Sequence, residues 1–163
     1  MGSALAEQAV PETGTIIKGE EGDGICRLDI INNATVDAVA YLCSMNEEVL
    51  LAVYIQAQDF FNMTGIDAGS YELYFRQGRD WNSTAGRFEN DSSNTRMENP
   101  MVFEIQKTKE GVRYTWGQIT LTEVAGGNEN LDSVSEEDFP AWAKGTEGYM
   151  RHSLHPSQLS HPH

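Results

Sequence analysis

The chain lacks the residues on which many catalytic and nucleic-acid-binding sites depend. All four histidines lie at or after position 152, so the residues before them offer no imidazole for acid–base or serine–histidine chemistry. Only 11 Lys and Arg oppose 25 Asp and Glu, and the net charge of −14 disfavours binding to nucleic acid or to an anionic membrane. We therefore expect a non-catalytic protein with no cofactor and no nucleic-acid partner.

Long apolar runs and recognisable catalytic motifs are also missing. The longest apolar run, 49–55, has the length of a strand and falls far short of the roughly 18 residues of a membrane span. The sequence contains no Gly-rich phosphate loop, no His-Glu-x-x-His helix and no Gly-x-Ser-x-Gly turn, and we expect no metal site. The weakest functional alternative is a hydrolase that uses carboxylates of the segment 80–98.

Cysteine is scarce, and the two that are present lie in neighbouring predicted strands. A hairpin centred on residues 34–35 pairs Ile30 with Val39 and places Cys26 opposite Cys43. Directly opposed residues of an antiparallel ladder have Cα atoms roughly 4.5 to 5.5 Å apart, which a disulfide tolerates. We therefore predict a Cys26–Cys43 disulfide and an oxidising, extracellular compartment, with two buried free thiols as the alternative.

Four acceptor patterns for N-glycosylation occur in predicted turns or loops, at Asn33, Asn62, Asn82 and Asn90. They favour a secreted or cell-surface glycoprotein, although Asn, Ser and Thr also concentrate in turns for conformational reasons. The start of the sequence, Met-Gly-Ser, is typical of a cloning remnant, so we expect that a native secretion signal was removed.

Residues 25–124 show the period-two alternation of short strands and no helical period. This pattern predicts an all-β fold, a seven-stranded antiparallel β-sandwich with a long polar loop. The predicted strands are 25–31, 38–44, 48–57, 59–64, 70–77, 101–107 and 112–124. Residues 1–24 are interpreted as a flexible leader in which 15–18 can add an edge strand. Residues 125–163 are interpreted as a flexible acidic extension, with a short helix from Ser135 and then a disordered tail.

One turn carries a family resemblance. The stretch 61–73 contains a strand, a Gly-apolar-x-x-Gly-x-Tyr turn through Gly65, Gly69 and Tyr71, and a second strand. It resembles the same feature of transthyretin-like, carboxypeptidase-regulatory-like and prealbumin-like sandwich domains, and the block 78–100 is similar to that of uncharacterised microbial secreted or surface domains. The resemblance implies an extracytoplasmic accessory, adhesion or stalk module without catalysis, and it transfers no functional residue.

The polar stretch 78–100 is the predicted binding segment, because long structureless connections in compact domains are commonly binding loops. Its candidate contact residues are three arginines and two aromatic residues, namely Arg79, Arg87, Arg96, Trp81 and Phe88. In the alternative arrangement, Trp81 and Phe88 fold back to cap one end of the sandwich while the arginines pair with neighbouring acids.

Two binding hypotheses follow. The first is a non-catalytic extracellular or cell-surface module for adhesion, protein–protein contact or filament assembly, acting through the 78–100 segment or by self-association at an exposed sheet edge. The second is a carbohydrate-binding module in which Tyr74, Trp81 and Trp116 stack on sugar rings.

Overall fold

A computed structural model describes residues 9–122 and 131–140. These ranges form twelve β-strands and one turn of 3-10 helix. The strands are β1 (Ile16–Gly19), β2 (Cys26–Asn32), β3 (Asp37–Cys43), β4 (Val49–Ile55), β5 (Asp59–Ile66), β6 (Gly69–Asn82), β7 (Arg87–Met97), β8 (Met101–Phe103), β9 (Ile105–Thr108), β10 (Gly111–Tyr114), β11 (Trp116–Leu121) and β12 (Leu131–Ser133). The all-β class is confirmed, with more strands than the seven predicted.

The strands form one large sheet and two smaller ones. The large, seven-stranded sheet has the order β1-β4-β3-β6-β7-β12, and β8 also pairs with β6. A three-stranded sheet has the order β11-β2-β5, in which β11 runs parallel to β2. The strands β9 and β10 form a separate antiparallel hairpin. No helix in the described ranges is long and apolar enough to cross a membrane.

The main hydrophobic core lies between the large sheet and the three-stranded sheet. Both sheets contribute one face to it, including Leu28, Ile30 and Met63 from the smaller sheet and Ala40, Leu42, Val53 and Phe75 from the larger one. A second cluster covers the opposite face of the large sheet, with Tyr41, Cys43, Tyr54, Tyr74, Trp81, Phe88 and Phe139. Because side chains alternate along a strand, β3 and β6 supply residues to both clusters.

The predicted hairpin of β2 with β3 is wrong, because these strands belong to different sheets. The chain crosses between the sheets directly after Asn32, whose side chain is fully buried. Its amide donates to the carbonyls of Val36, Ile55 and Gln56 at 3.0, 3.2 and 3.2 Å, and its oxygen accepts from the Ala34 N–H at 3.1 Å. Buried backbone groups require partners, so Asn32 stabilises this crossover.

The predicted disulfide is wrong for the same reason, since Cys26 and Cys43 are separate buried thiols. Cys26 lies in the core between the sheets, whereas Cys43 lies in the cluster on the far face of the large sheet. Burial raises the pKa of the Cys43 thiol above its ordinary value. The cysteines therefore no longer support an oxidising compartment.

The leader supplies an edge strand, as predicted, and this strand joins the large sheet of the same chain. β1 pairs antiparallel with β4. The residues before β1 also contact this part of the sheet. The Gly14 N–H donates to the carbonyl of Tyr54 on β4 at 2.8 Å, and the side-chain amide of Gln56, just after β4, donates to the Pro11 carbonyl at 2.8 Å.

The segment 78–100 is not a structureless loop. β6 continues to Asn82 and pairs with β7 from Arg87 onward, so most of the segment forms a hairpin. The ladder shifts register between Gln77 and Arg79, where Gly78 approaches the partner strand so closely that an added Cβ would lie 2.6 Å from the Phe88 Cβ. The hairpin was not predicted from the sequence because β7 consists mostly of polar residues and lacks a clear apolar alternation.

The predicted short helix at Ser135 is one turn of 3-10 helix, Glu136–Asp138. The Ser135 side chain caps it by accepting from the Asp138 N–H at 3.3 Å. The rest of the predicted extension beyond residue 140, including the tail with the four histidines, lies outside the described residues.

Candidate binding face

The two aromatic residues predicted to contact a ligand are buried. Trp81 and Phe88 are 7% and 3% exposed, and their ring centroids lie 4.9 Å apart. Both rings also contact Tyr54, at 5.8 and 6.0 Å between centroids. The two rings are therefore buried, as in the alternative arrangement, but they cover the outer face of the large sheet rather than one end of the sandwich.

The three candidate arginines are dispersed along the same hairpin. Arg79 forms an exposed ion pair with Asp91, with Nε and Oδ2 3.0 Å apart. Arg87 is exposed at the hairpin tip, and a hydrogen bond with Tyr74 raises the pKa of Arg96. These residues do not converge on one pocket.

The candidate glycosylation sites differ in their surroundings. Asn33, Asn62 and Asn90 are exposed, whereas Asn82 is half-buried. The Asn82 oxygen accepts from the backbone N–H groups of Thr84 and Ala85 at 3.0 Å each, so this side chain also shapes the hairpin turn. Glycosylation of all four remains a prediction.

Of the three aromatic residues predicted to stack on sugars, only Trp116 is accessible. Tyr74 and Trp81 are 1% and 7% exposed, but Trp116 is 58% exposed. It begins β11, where alternation turns Gln118 outward with it while Leu121 is buried in the core. Trp116 therefore marks the outer face of the three-stranded sheet.

We call this surface the small-sheet face. The strand register places Trp116 beside Arg27 and Gln118 beside Asp29, and then Asp29 beside Asn62. Its outward residues are Trp116, Gln118 and Thr120 on β11, Arg27, Asp29 and Ile31 on β2, and Phe60, Asn62 and Thr64 on β5. An open groove of about 390 Å³ is lined by side chains of this face, among them Asp29, Phe60, Asn62 and Gln118.

A hydrogen-bonded triad fixes the Trp116 end of the face. The indole Nε1–H donates to Asp29 Oδ2 at 2.7 Å, and Arg27 Nε donates to Asp29 Oδ1 at 2.8 Å. The Arg27 guanidinium also lies 4.4 Å from the centroid of the Trp116 ring, in a cation–π contact. More than half of the indole surface is exposed even though its orientation is fixed, which lowers the conformational cost of binding a ligand.

The same contacts keep Asp29 ionised and balance its negative charge with the positive charge of Arg27. The hydrogen bond from Arg27, assisted by that from Trp116, lowers the pKa of the Asp29 carboxyl below its ordinary value. Asp29 is therefore a carboxylate at neutral pH, paired with a guanidinium. The pair adds no net charge to the face, and both of its carboxylate oxygens already accept hydrogen bonds from Arg27 and Trp116.

An exposed apolar row extends the face onto the neighbouring hairpin. Val112, Tyr114 and Trp116 are 50%, 44% and 58% exposed and are spaced two residues apart. Thr115 is the single residue between β10 and β11. Its N–H donates to the Glu104 carbonyl at 3.0 Å and its carbonyl accepts from the Arg27 N–H at 3.2 Å, so both of its backbone groups are bonded.

Phe60, the second aromatic residue of the face, was not among the binding residues predicted from the sequence. It is 57% exposed on β5, whereas Met63 on the same strand is fully buried. The alternation of Phe60, Asn62 and Thr64 with Phe61 and Met63 was a usable signal, but the identity of the solvent-facing side depends on the sheet register.

Comparisons with known proteins add no family assignment. No protein-family model matches the chain, and neither the curated proteins nor the solved structures include a match. Across residues 9–122 and 131–140, no group of three or more His, Cys, Asp or Glu side chains is arranged to hold a metal ion. The structure is that of an all-β protein whose sheets are antiparallel except for the parallel pairing of β11 with β2.

Proposed function

We propose that the protein is a non-catalytic extracytoplasmic β-sandwich module that adheres to carbohydrate through the small-sheet face. The observation that carries this proposal is Trp116, an indole that is fixed by Arg27 and Asp29 and yet remains exposed. Aromatic rings present a large apolar surface with few rotatable bonds, which suits stacking on the apolar face of a sugar ring.

The polar residues around Trp116 match the other half of sugar chemistry. Sugar hydroxyls both donate and accept hydrogen bonds, and the face offers amides at Asn62 and Gln118 beside the mostly buried carboxylate of Asp29. Binding sites generally combine an apolar surface with a few placed polar groups. This combination favours carbohydrate over a purely apolar ligand.

The extracytoplasmic location rests on the glycosylation patterns and on the resemblance of the turn 61–73 to transthyretin-like domains. One acceptor, Asn62, lies on the small-sheet face itself. A glycan attached there would cover the groove, so we expect binding from molecules in which Asn62 is unmodified.

Assembly by exchange of the leader strand is the less favoured hypothesis. β1 already pairs with β4 of its own chain, and the Pro11 and Gly14 contacts add to that pairing. Exchange would have to break these bonds first. Size-exclusion chromatography of the full chain and of a chain lacking residues 1–24 tests it, since a monomer in both excludes this mode of assembly.

A glycan array tests the proposed function. We expect the wild-type protein to bind at least one immobilised glycan and Trp116→Ala to lose that binding. Val102→Ala is the matched control, because Val102 is also about half exposed, at 52%, but lies on β8 in the large sheet. An array that stays blank with folded wild-type protein contradicts the proposal.

A further inference from the structure

Two exposed aromatic residues stand at opposite corners of the small-sheet face. Trp116 on β11 lies beside Arg27, whereas Phe60 on β5 lies beside Ile31. Both are more than half exposed, at 58% and 57%. The two residues are separated both across the sheet and along the strands.

Strand geometry gives the distance between these corners. β11 and β5 flank β2, so they are roughly 9.5 Å apart, and the step from Arg27 to Ile31 adds roughly 13 Å along the strand. The diagonal between the Trp116 and Phe60 Cα atoms is therefore roughly 16 Å. A single sugar ring is too small to contact both residues.

The space between the two aromatic residues is polar and grooved. Asp29, Asn62 and Gln118 occupy the middle row of the face and line the open groove, which also reaches Phe60. Single exposed hydrophobic residues are ordinary on protein surfaces. Here, two of them bracket a row of hydrogen-bonding groups, which is the pattern expected for a chain of linked rings.

The charges of the face and of the whole chain restrict the class of ligand further. Arg27 and Asp29 form an ion pair with Nε and Oδ1 2.8 Å apart, and Asp59 also lines the groove, so the charged side chains of the groove leave one negative charge. The chain as a whole carries −14, which repels acidic polymers. A neutral sugar chain meets neither penalty.

We infer that the small-sheet face takes a neutral, extended oligosaccharide that crosses β11, β2 and β5 diagonally. One sugar ring stacks on Trp116, a second ring further along stacks on Phe60, and the rings between them bond to the exposed amides of Asn62 and Gln118. This inference rests on the proposed function and adds the length, the charge and the path of the ligand.

The test is a length series. Oligomers of one to six β-1,4-linked glucose, xylose or N-acetylglucosamine units, and uronate oligomers of matched length, are titrated into wild-type protein, Phe60→Ala, Phe60→Tyr, Trp116→Ala and Val102→Ala. Urea unfolding midpoints verify that each variant is folded. The readout is the dissociation constant as a function of ring number.

In the wild type, we expect affinity for one neutral series to rise with length until both aromatic residues are engaged. Phe60→Ala should weaken binding of the long oligomers by roughly tenfold or more and leave the shortest bound oligomers unchanged. Trp116→Ala should weaken all lengths. Phe60→Tyr, which keeps the ring, should retain the rise of affinity with length, and Val102→Ala, outside the face, should bind as the wild type does.

Two results overturn the inference while leaving the proposed function intact. One is a Phe60→Ala variant that binds long oligomers as tightly as the wild type. The other is a preference for the uronate series that is lost at high salt, which indicates recognition of charge. If folded wild-type protein binds no oligomer of any series or length and the glycan array is blank, the proposed function itself fails.

Discussion

Arg76 and Glu136 lie 60 positions apart in the chain and meet in a bidentate pair, with both N···O distances 3.0 Å. The guanidinium also lies 4.2 Å from the centroid of the Phe139 ring and donates to the Tyr41 hydroxyl at 3.2 Å. Arg76 is only 2% exposed. These contacts attach the segment 131–140 to the outer face of the large sheet.

Glu136→Gln should destabilise the protein, because it leaves the buried Arg76 charge without its carboxylate partner. Glu136 is half exposed and water can replace part of the interaction, so we expect a loss of about 1 to 2 kcal/mol in the free energy of unfolding. Urea unfolding measures it. Glu137→Gln in the same turn is the control, and equal midpoints for the two variants would contradict this role of Glu136.

Acid should weaken the same attachment. The hydrogen bond and charge of Arg76 lower the pKa of Glu136 below its ordinary value of 4.5. A carboxyl with a lowered folded-state pKa contributes stability that is complete above pH 4.5 and is lost as the pH falls through the folded pKa. The stability difference between wild type and Glu136→Gln should therefore shrink below pH 4.5. A difference that stays constant down to pH 2 would argue against the coupling.

Trp81 should matter for folding rather than for ligand contact. Its ring packs on Phe88 and Tyr54, so Trp81→Ala should cost about 3 kcal/mol in unfolding free energy. Trp81→Phe should cost only about 1 kcal/mol, because the buried Nε1–H has no hydrogen-bond acceptor among the described residues. Thermal or urea unfolding separates the two. Folded Trp81→Phe should bind glycans as the wild type does.

The two cysteines should be free and protected. Alkylation of unreduced protein followed by intact-mass analysis should show little label under native conditions, because both thiols are buried. After unfolding without reductant, two labels should appear. Absence of label after unfolding would restore the disulfide.

The alternation of the sequence predicted the strand content but not the strand partners. In the predicted strand 70–77, period-two alternation puts Tyr71, Leu73 and Phe75 on one face, and all three pack in or against the core between the sheets. Period-two alternation does not depend on which strand is the neighbour. A pairing of β2 with β3, the next strand in sequence, was therefore consistent with the apolar pattern. The buried amide of Asn32, which directs the chain to the other sheet, has no signature in that pattern.

The candidate site was predicted only in part. Trp116 was one of three stacking candidates, and separating it from Tyr74 and Trp81 required knowledge of which face of each strand meets solvent. The segment 78–100 looked like a loop because Ser, Asn and Asp have low strand propensity. Its residues form the end of β6 and all of β7 because these two strands pair as a hairpin, and the pairing overrides the local preference of the residues.

The parallel pairing of β11 with β2 determines how much of the chain must be synthesised before the small-sheet face is complete. Trp116 and Asp29 are separated by 87 positions, so a ribosome must make most of the chain before the indole can reach its carboxylate. Until then, β2 has an unpaired edge, and such edges invite contact with other nascent chains. Contacts this distant in sequence also form slowly. The Trp116 edge of the face that we assign to ligand binding can therefore join β2 only after β11 has been made, and chains interrupted before residue 116 lack it.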